Sequence, residues 1–99
     1  MMTVIVLKVG LGPEVKTIGS TLDAMRSEVG GHIEAVKLPF LPTGVIVYCD
    51  EEGRAKGLPP NRWGLLGTLL VVRLQGRHEM SLTPADVSAI KRLTTTDVN

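Results

Sequence analysis

Apolar residues in this chain are concentrated in short runs bounded by Gly, Pro or polar turns. The runs are rich in β-branched residues and too short for an apolar helix, so they predict buried strands. They occupy residues 3–9, 45–49 and 68–74. Polar and apolar residues instead alternate over residues 14–18 and 32–38, as they do in half-exposed strands.

Two further segments have apolar residues at helical spacing. The first has a capping Ser20 or Thr21 before it and Gly30 well placed to end it. Its apolar face consists of Leu22, Met25 and Val29. The second begins at Thr83 and Pro84, a capping hydroxyl followed by a proline at the first helical position. Its apolar face consists of Val87, Ile90 and Leu93.

The predicted order is strand-strand-helix-strand-strand-loop-strand-strand-helix, with residues 78–81 as a short edge strand. Tight turns dominate and no helical crossover repeats, which indicates a mainly antiparallel α+β domain. We expect one sheet of five or six strands and two short helices. Because so short a chain can fill only one core, residues 1–94 should form a single domain, followed by a frayed tail over residues 95–99.

Aromatic residues make up only 3% of the chain, so the core must be aliphatic. The three rings belong to Phe40, Tyr48 and Trp63. A formal net charge of +1 argues against nucleic acid as a partner, because such binding needs many cations on one face. The single cysteine, Cys49, excludes an internal disulfide and a cysteine-built zinc site, and we interpret it as a buried thiol.

The first residues lack the cationic leader and the small-residue cleavage site of a signal peptide. No apolar run approaches the roughly 20 residues that a membrane span requires. We therefore expect a soluble, intracellular protein without a membrane partner.

Few residues indicate catalysis. His32 and His78 stand alone at the starts of predicted strands, with no carboxylate or nucleophile at a telling spacing. The acidic residues 50–52 precede a glycine and are typical of a solvated turn. Metal-ligand spacings are absent from the sequence, and residues 10–13 lack the ending of a phosphate-binding loop. We predict a protein that is not an enzyme and uses no cofactor or metal.

Residues 50–63 are predicted as neither helix nor core strand, and such loops on rigid scaffolds commonly carry binding groups. Cations, an amide and an indole together suit a phosphorylated, planar ligand. The candidate ligand-binding residues are Arg54, Lys56, Asn61, Arg62 and Trp63, with Tyr48 as a second ring. The alternative is structural: Asn61 holds the loop through backbone bonds, and Trp63 seals the edge of the core.

Two motifs in the chain form a specific pair. One is Val29-Gly30-Gly31 followed by Ile33-Glu34; the other joins Asp50-Glu51-Glu52-Gly53 to Gly57-Leu58-Pro59-Pro60-Asn61. They resemble a family of small proteins from phages, plasmids and other mobile elements, catalogued as a domain of unknown function. The resemblance runs from about Thr3 to about Thr83, and the proline-rich residues 39–42 depart from the simple polar turn expected there.

The resemblance implies an accessory role in the cytoplasm of an infected bacterial cell and brings no established reaction. Our leading hypothesis is a non-enzymatic phage-type protein that binds or sequesters a small phosphorylated ligand, such as a host nucleotide immune signal. The alternative is a protein-interaction module that inhibits a host protein through the same loop or the apolar bulge at residues 39–42. We also expect a homo-oligomer, because dimerisation gives so small a domain both stability and a walled pocket.

Overall fold

A computed structural model describes residues 1–96, and its elements follow the order expected from the sequence. The strands are β1 (Met2–Leu7), β2 (Glu14–Ile18), β3 (Ile33–Val36), β4 (Val45–Asp50), β5 (Leu69–Gln75) and β6 (His78–Met80). The helices are α1 (Leu22–Val29) and α2 (Pro84–Thr96). A single 3-10 turn at Arg62–Gly64 lies in the long connection between β4 and β5.

The strands form one sheet with the spatial order β2-β1-β5-β4-β3, and β6 pairs with the second half of β5. All of these pairings are antiparallel, which confirms the predicted α+β architecture. Strands β1 and β6 lie end to end along β5, on the side away from β4. The Leu82 N–H fastens this junction by donating to the Thr3 carbonyl at 2.9 Å.

The central strands are buried on both faces, because one helix covers each side of the sheet. Alternate residues of β1, β4 and β5 pack towards α1, where Met25 and Val29 complete the core. The residues between them pack towards α2, where Ile90 is fully buried. A strand without a solvent face has no polar alternation, which explains the continuous apolar runs in the sequence.

Helix α1 has both of the ends that the sequence predicts. The Thr21 hydroxyl caps its start by accepting from the Ala24 N–H at 3.1 Å. At its end Gly30 adopts φ 97°, and its N–H donates to the Arg26 carbonyl at 2.7 Å. This left-handed conformation suits glycine because any other residue would bring its Cβ too close to the backbone.

Helix α2 begins with a reciprocal cap between Thr83 and Asp86, and Asp86 also forms an ion pair with the sheet. The Thr83 hydroxyl accepts from the Asp86 N–H at 3.1 Å, and the Asp86 carboxylate accepts from the Thr83 N–H at 2.9 Å. The same carboxylate is buried and receives two hydrogen bonds, each 2.7 Å long, from the Arg73 guanidinium on β5. The hydrogen bond to Arg73 is the main cause that holds the pKa of Asp86 below its ordinary 3.8.

The end of α2 lies further along the chain than the sequence indicated. Thr95 and Thr96 belong to the helix rather than to a frayed tail, whereas residues 97–99 lie outside the described residues. The hydroxyls of Thr94 and Thr95 donate back to the carbonyls of Ile90 and Lys91 at 2.9 and 2.7 Å. Such bonds back to the preceding carbonyls do not favour a helix by themselves, so the burial of Thr94 is what stabilises a last turn that helix propensity alone would not predict.

Replacing Asp86 by Asn should lower the free energy of unfolding at neutral pH by about 2 kcal/mol, because hydrogen bonds to charged groups are lost. The wild-type pair stabilises the fold above pH 3.8 and loses this effect as pH falls through the lower pKa of the folded state. The difference between the variant and the wild type should therefore shrink in acid. Urea denaturation at several pH values measures it, with the exposed Glu34→Gln as control. A difference that persists at the lowest pH would contradict this assignment.

Candidate functional site

The connection from β4 to β5 is fastened to the protein where it begins. The Asp50 side chain is only 2% exposed, and its carboxylate accepts from Lys56 Nζ at 2.6 Å and from the Glu52 N–H at 2.8 Å. The hydrogen bond to Lys56 lowers the pKa of Asp50 and raises the pKa of Lys56. The ammonium group of Lys56 is therefore already bonded to another side chain of the same protein.

The ion pair also explains the glycine pair that follows α1. A Cβ on Gly31 would lie 2.6 Å from Lys56 Nζ and 2.9 Å from Asp50 Oδ2, so a larger residue would displace the pair. Lys56 also donates to the Gly30 carbonyl at 3.4 Å. Just after the glycines, the His32 carbonyl accepts a hydrogen bond from the Glu51 N–H at 3.0 Å. The two motifs that carry the family resemblance thus contact each other directly.

Asn61 fastens the other end of the connection. Its amide nitrogen donates to the carbonyls of Leu7 at 2.9 Å and Gly67 at 2.6 Å. Its amide oxygen accepts from the Arg62 N–H at 2.7 Å and so starts the 3-10 turn. This arrangement corresponds to the structural alternative for Asn61, because its donors are spent on the backbone rather than offered to a ligand.

Arg62 reaches towards the end of α2. Its two terminal nitrogens donate to the carbonyls of Leu11 at 3.3 Å and Thr94 at 3.2 Å. The last turn of a helix carries a partial negative charge on its carbonyls, so this guanidinium is already partly compensated by α2. A phosphate at the same position would face those two carbonyl oxygens as well as the cation.

Trp63 has a backbone conformation that is unusual for a residue with a side chain. Its φ is 63°, the one positive value among the described residues other than glycines. Its ring is half-buried against the α2 side of the core and lies 5.5 Å from the Phe40 ring at a tilt of 60°. Such tilted ring pairs are favourable, which offsets part of the strain.

The structure does not bring the six predicted ligand-binding residues together. Lys56 lies beside the end of α1, whereas Arg62 lies beside the end of α2 on the opposite side of the sheet. Tyr48 faces α1, and its hydroxyl donates to the Glu79 carboxylate at 2.6 Å. Burial is the main cause that raises the pKa of Tyr48, and the hydrogen bond to Glu79 raises it further. Arg54 is exposed at the surface of the connection.

Two hollows border α2 on this side of the sheet. We call the first, of about 610 Å³, the Arg62 groove; it is lined by residues 10–13, residues 60–63, Thr94 and Thr95. The second, of about 400 Å³, we call the Phe40 groove; it is lined by Phe40, Leu41, Pro42, Ala89, Arg92 and Leu93. Trp63 lines the first groove and contacts Phe40 in the second, so the two grooves meet at the ring pair.

Helix α2 contributes to both grooves, which the sequence did not indicate. Only the apolar bulge at residues 39–42 gave a signal for the Phe40 groove, because the facing helix residues lie far away along the chain. Within residues 1–96, no cluster of three or more His, Cys, Asp or Glu side chains is placed to hold a metal ion. In the same residues, neither helix is long and apolar enough to cross a membrane.

Replacing Asn61 by Ala should lower the free energy of unfolding by about 2–4 kcal/mol, since three hydrogen bonds are lost and two carbonyls lose a donor. Arg54→Ala, in the same connection but exposed, should change it by less than about 0.5 kcal/mol. Urea denaturation of the three proteins tests this, together with the near-ultraviolet circular dichroism of Trp63. If Asn61→Ala were as stable as Arg54→Ala, the amide would not hold the connection.

Comparison with known proteins places the chain in a family. No curated protein and no solved structure matches it. A family model described as "Domain of unknown function (DUF3846)" matches residues 2–95, nearly the whole chain. The matched range includes both motifs and every element from β1 to the last turn of α2. The expected membership of a family of unknown function is therefore confirmed: the chain belongs to the DUF3846 family.

Proposed function

We propose that this protein is a non-enzymatic, phage-type accessory protein that docks a peptide segment of a host protein in the Phe40 groove and thereby inhibits that protein. The observation that carries the proposal is the Phe40 ring, 46% exposed yet held by the strained Trp63 beside an apolar groove. Aromatic side chains, Phe included, are enriched in protein interfaces relative to the rest of the surface, and those that are buried on binding commonly act as anchors.

The ring pair is organised before any partner arrives. Asn61 fixes the 3-10 turn, the turn sets the left-handed conformation of Trp63, and the Trp63 ring contacts Phe40. Backbone strain of about 1–3 kcal/mol at one residue persists only where its surroundings impose it, and it is found most often at functional sites. A rigid anchor also loses little conformational entropy on binding.

The lining of the Phe40 groove favours a peptide over a small polar ligand. Leu41, Pro42 and Leu93 contribute apolar surface, and among the described residues that line the groove only Arg92 is charged. A small ligand needs several convergent polar groups to orient it, whereas an apolar side chain of a peptide needs mainly a complementary hollow. The mobile-element character implied by the family resemblance supports a host protein as the target.

Peptides that bind the wild-type chain can be selected from a random-peptide display library. Phe40→Ala should weaken the binding of these peptides by about tenfold or more, as for other aromatic anchors. Leu22→Ala is a matched control, because Leu22 is also 46% exposed but lies on α1, across the sheet. Trp63, the only tryptophan, reports binding by its fluorescence. Enriched peptides that bind both variants equally, or a selection without enrichment, would refute the proposal.

A second candidate function is the sequestration of a small phosphorylated ligand, such as a nucleotide signal, in the Arg62 groove. The observation that favours it is a hollow of about 610 Å³ bordered by a guanidinium and an indole. This candidate uses Arg62 and Trp63 from the predicted set, but not Lys56 or Tyr48.

The second candidate predicts that freshly purified protein from bacterial cells, denatured by heat, releases a phosphorylated compound in near-equimolar amount. Arg62→Gln should release much less of it, because the remaining amide carries no charge to attract phosphate. Mass spectrometry of the released small molecules measures both. Equal release by the two proteins, or none from either, would eliminate the Arg62 groove as a phosphate site.

A further inference from the structure

We infer that the free edge of strand β3 binds the same edge of a second copy of this chain, so that two sheets join into one across a two-fold axis at Ala35. This inference goes beyond the proposed function, because it concerns a different surface and a different partner. It is carried by the direction of the backbone hydrogen-bonding groups along β3 and by the side chains of the strand.

Strand β3 leaves part of its backbone without a partner. Among residues 1–96 it lies at one end of the strand order and pairs only with β4. The His32 carbonyl accepts from the Glu51 N–H. Hydrogen-bonded pairs alternate along an antiparallel ladder, so the next ones join β3 to β4 at Glu34 and Val36. The N–H and C=O groups that point away from β4 therefore belong to the residues between them and just past the strand: Ile33, Ala35 and Lys37.

The edge of β3 is less protected than the other edges of the sheet. Pro13, which has no N–H, comes directly before the edge strand β2, and Lys16 lies at the centre of that strand. Proline and lysine are common devices that keep an edge strand from pairing with another chain, and so is a very short strand such as β6. In β3 the central outward-pointing residue is Ala35, which is small, uncharged and exposed. This edge is therefore the one best suited to accept a further strand.

The edge of β3 is complementary to itself. When two copies run antiparallel with Ala35 opposite Ala35, Ile33 of each copy lies opposite Lys37 of the other. Each outward-pointing residue then meets an outward-pointing residue, as the hydrogen-bonded pairs of an antiparallel ladder require. Glu34 lies opposite Val36 of the second copy, so no two like charges are directly opposed.

The neighbouring registers are less favourable. A pairing centred on Glu34 would place two carboxylates directly opposite each other, which is destabilising. A pairing centred on Val36 would place Ile33 opposite Pro39, which has no N–H to donate. The pairing about Ala35 avoids both costs.

Charge complementation in the full-length chain tests the inference. We expect the wild type to form a dimer in analytical ultracentrifugation, in an equilibrium that depends on concentration. Ala35→Lys and Ala35→Glu should each raise the dissociation constant by about tenfold or more, because two like charges are then directly opposed. An equimolar mixture of the two variants should restore a dimer with a dissociation constant within about threefold of the wild-type value, because opposite charges then meet.

Val15→Lys and Val15→Glu are the matched controls, since Val15 is an exposed residue on β2 at the opposite edge of the sheet. These controls should shift the dissociation constant by less than about twofold. Far-ultraviolet circular dichroism should show unchanged secondary structure in the variants of Ala35, because that side chain is exposed.

A wild-type chain that stays monomeric at the highest attainable concentration would overturn the inference. If peptides selected on that monomer no longer bound Ala35→Lys, the edge would instead belong to a strand of another protein. A dimer that the variants of Ala35 leave intact, or that does not recover when they are mixed, would also overturn the pairing about Ala35.

The remaining outcomes assign the dimer to another surface. A dimer that the variants of Val15 dissociate belongs to the edge of β2, and one that only Phe40→Ala dissociates belongs to the Phe40 groove. Either result would overturn pairing through β3. Peptide binding by Phe40→Ala is measured separately, so the proposed docking site stands or falls independently of the dimer.

Discussion

The hydrogen bonds of the Asn61 side chain are the constraint on which the proposed docking surface depends. One amide joins the end of β1, the segment before β5 and the start of the 3-10 turn, and it adds to the single antiparallel bridge between Pro60 and Leu66. Buried backbone groups need partners, and here a side chain supplies one to each of two carbonyls. The positions of Arg62 and Trp63 follow from this junction, and the contact with Phe40 follows from the position of Trp63.

The same principle operates at the other end of the connection, with charge in place of an amide. Asp50 and Lys56 close the first turn against the glycines that follow α1, so the two most recognisable stretches of the sequence form one structural unit. The contact between these two stretches thus explains how a long connection is held rigidly on a small domain. In the proposed function, recognition belongs instead to the neighbouring surface beside α2.

Much of the fold could be predicted, because its signals are local. The apolar runs of β4 and β5, the Thr21 and Gly30 ends of α1 and the Thr83-Pro84 start of α2 each depend on residues within a few positions of one another. The site could not be predicted to the same depth. Whether Tyr48 faces α1 or α2 depends on its register with Leu70 and on which face each helix covers. The bond from Arg62 to Thr94 likewise joins residues that sequence spacing does not relate.

A sheet that is covered by a helix on each face restricts which substitutions the sequence of such a protein can accept during evolution. Substitutions in β1, β4 or β5 meet packed side chains whichever way they point, so few of them leave the fold intact. Freedom to vary is greater where side chains contact water, and these places include Phe40, Pro42 and Ala89. These residues also line the Phe40 groove, so a lineage that uses the groove as proposed could exchange one target for another there while its scaffold stays the same.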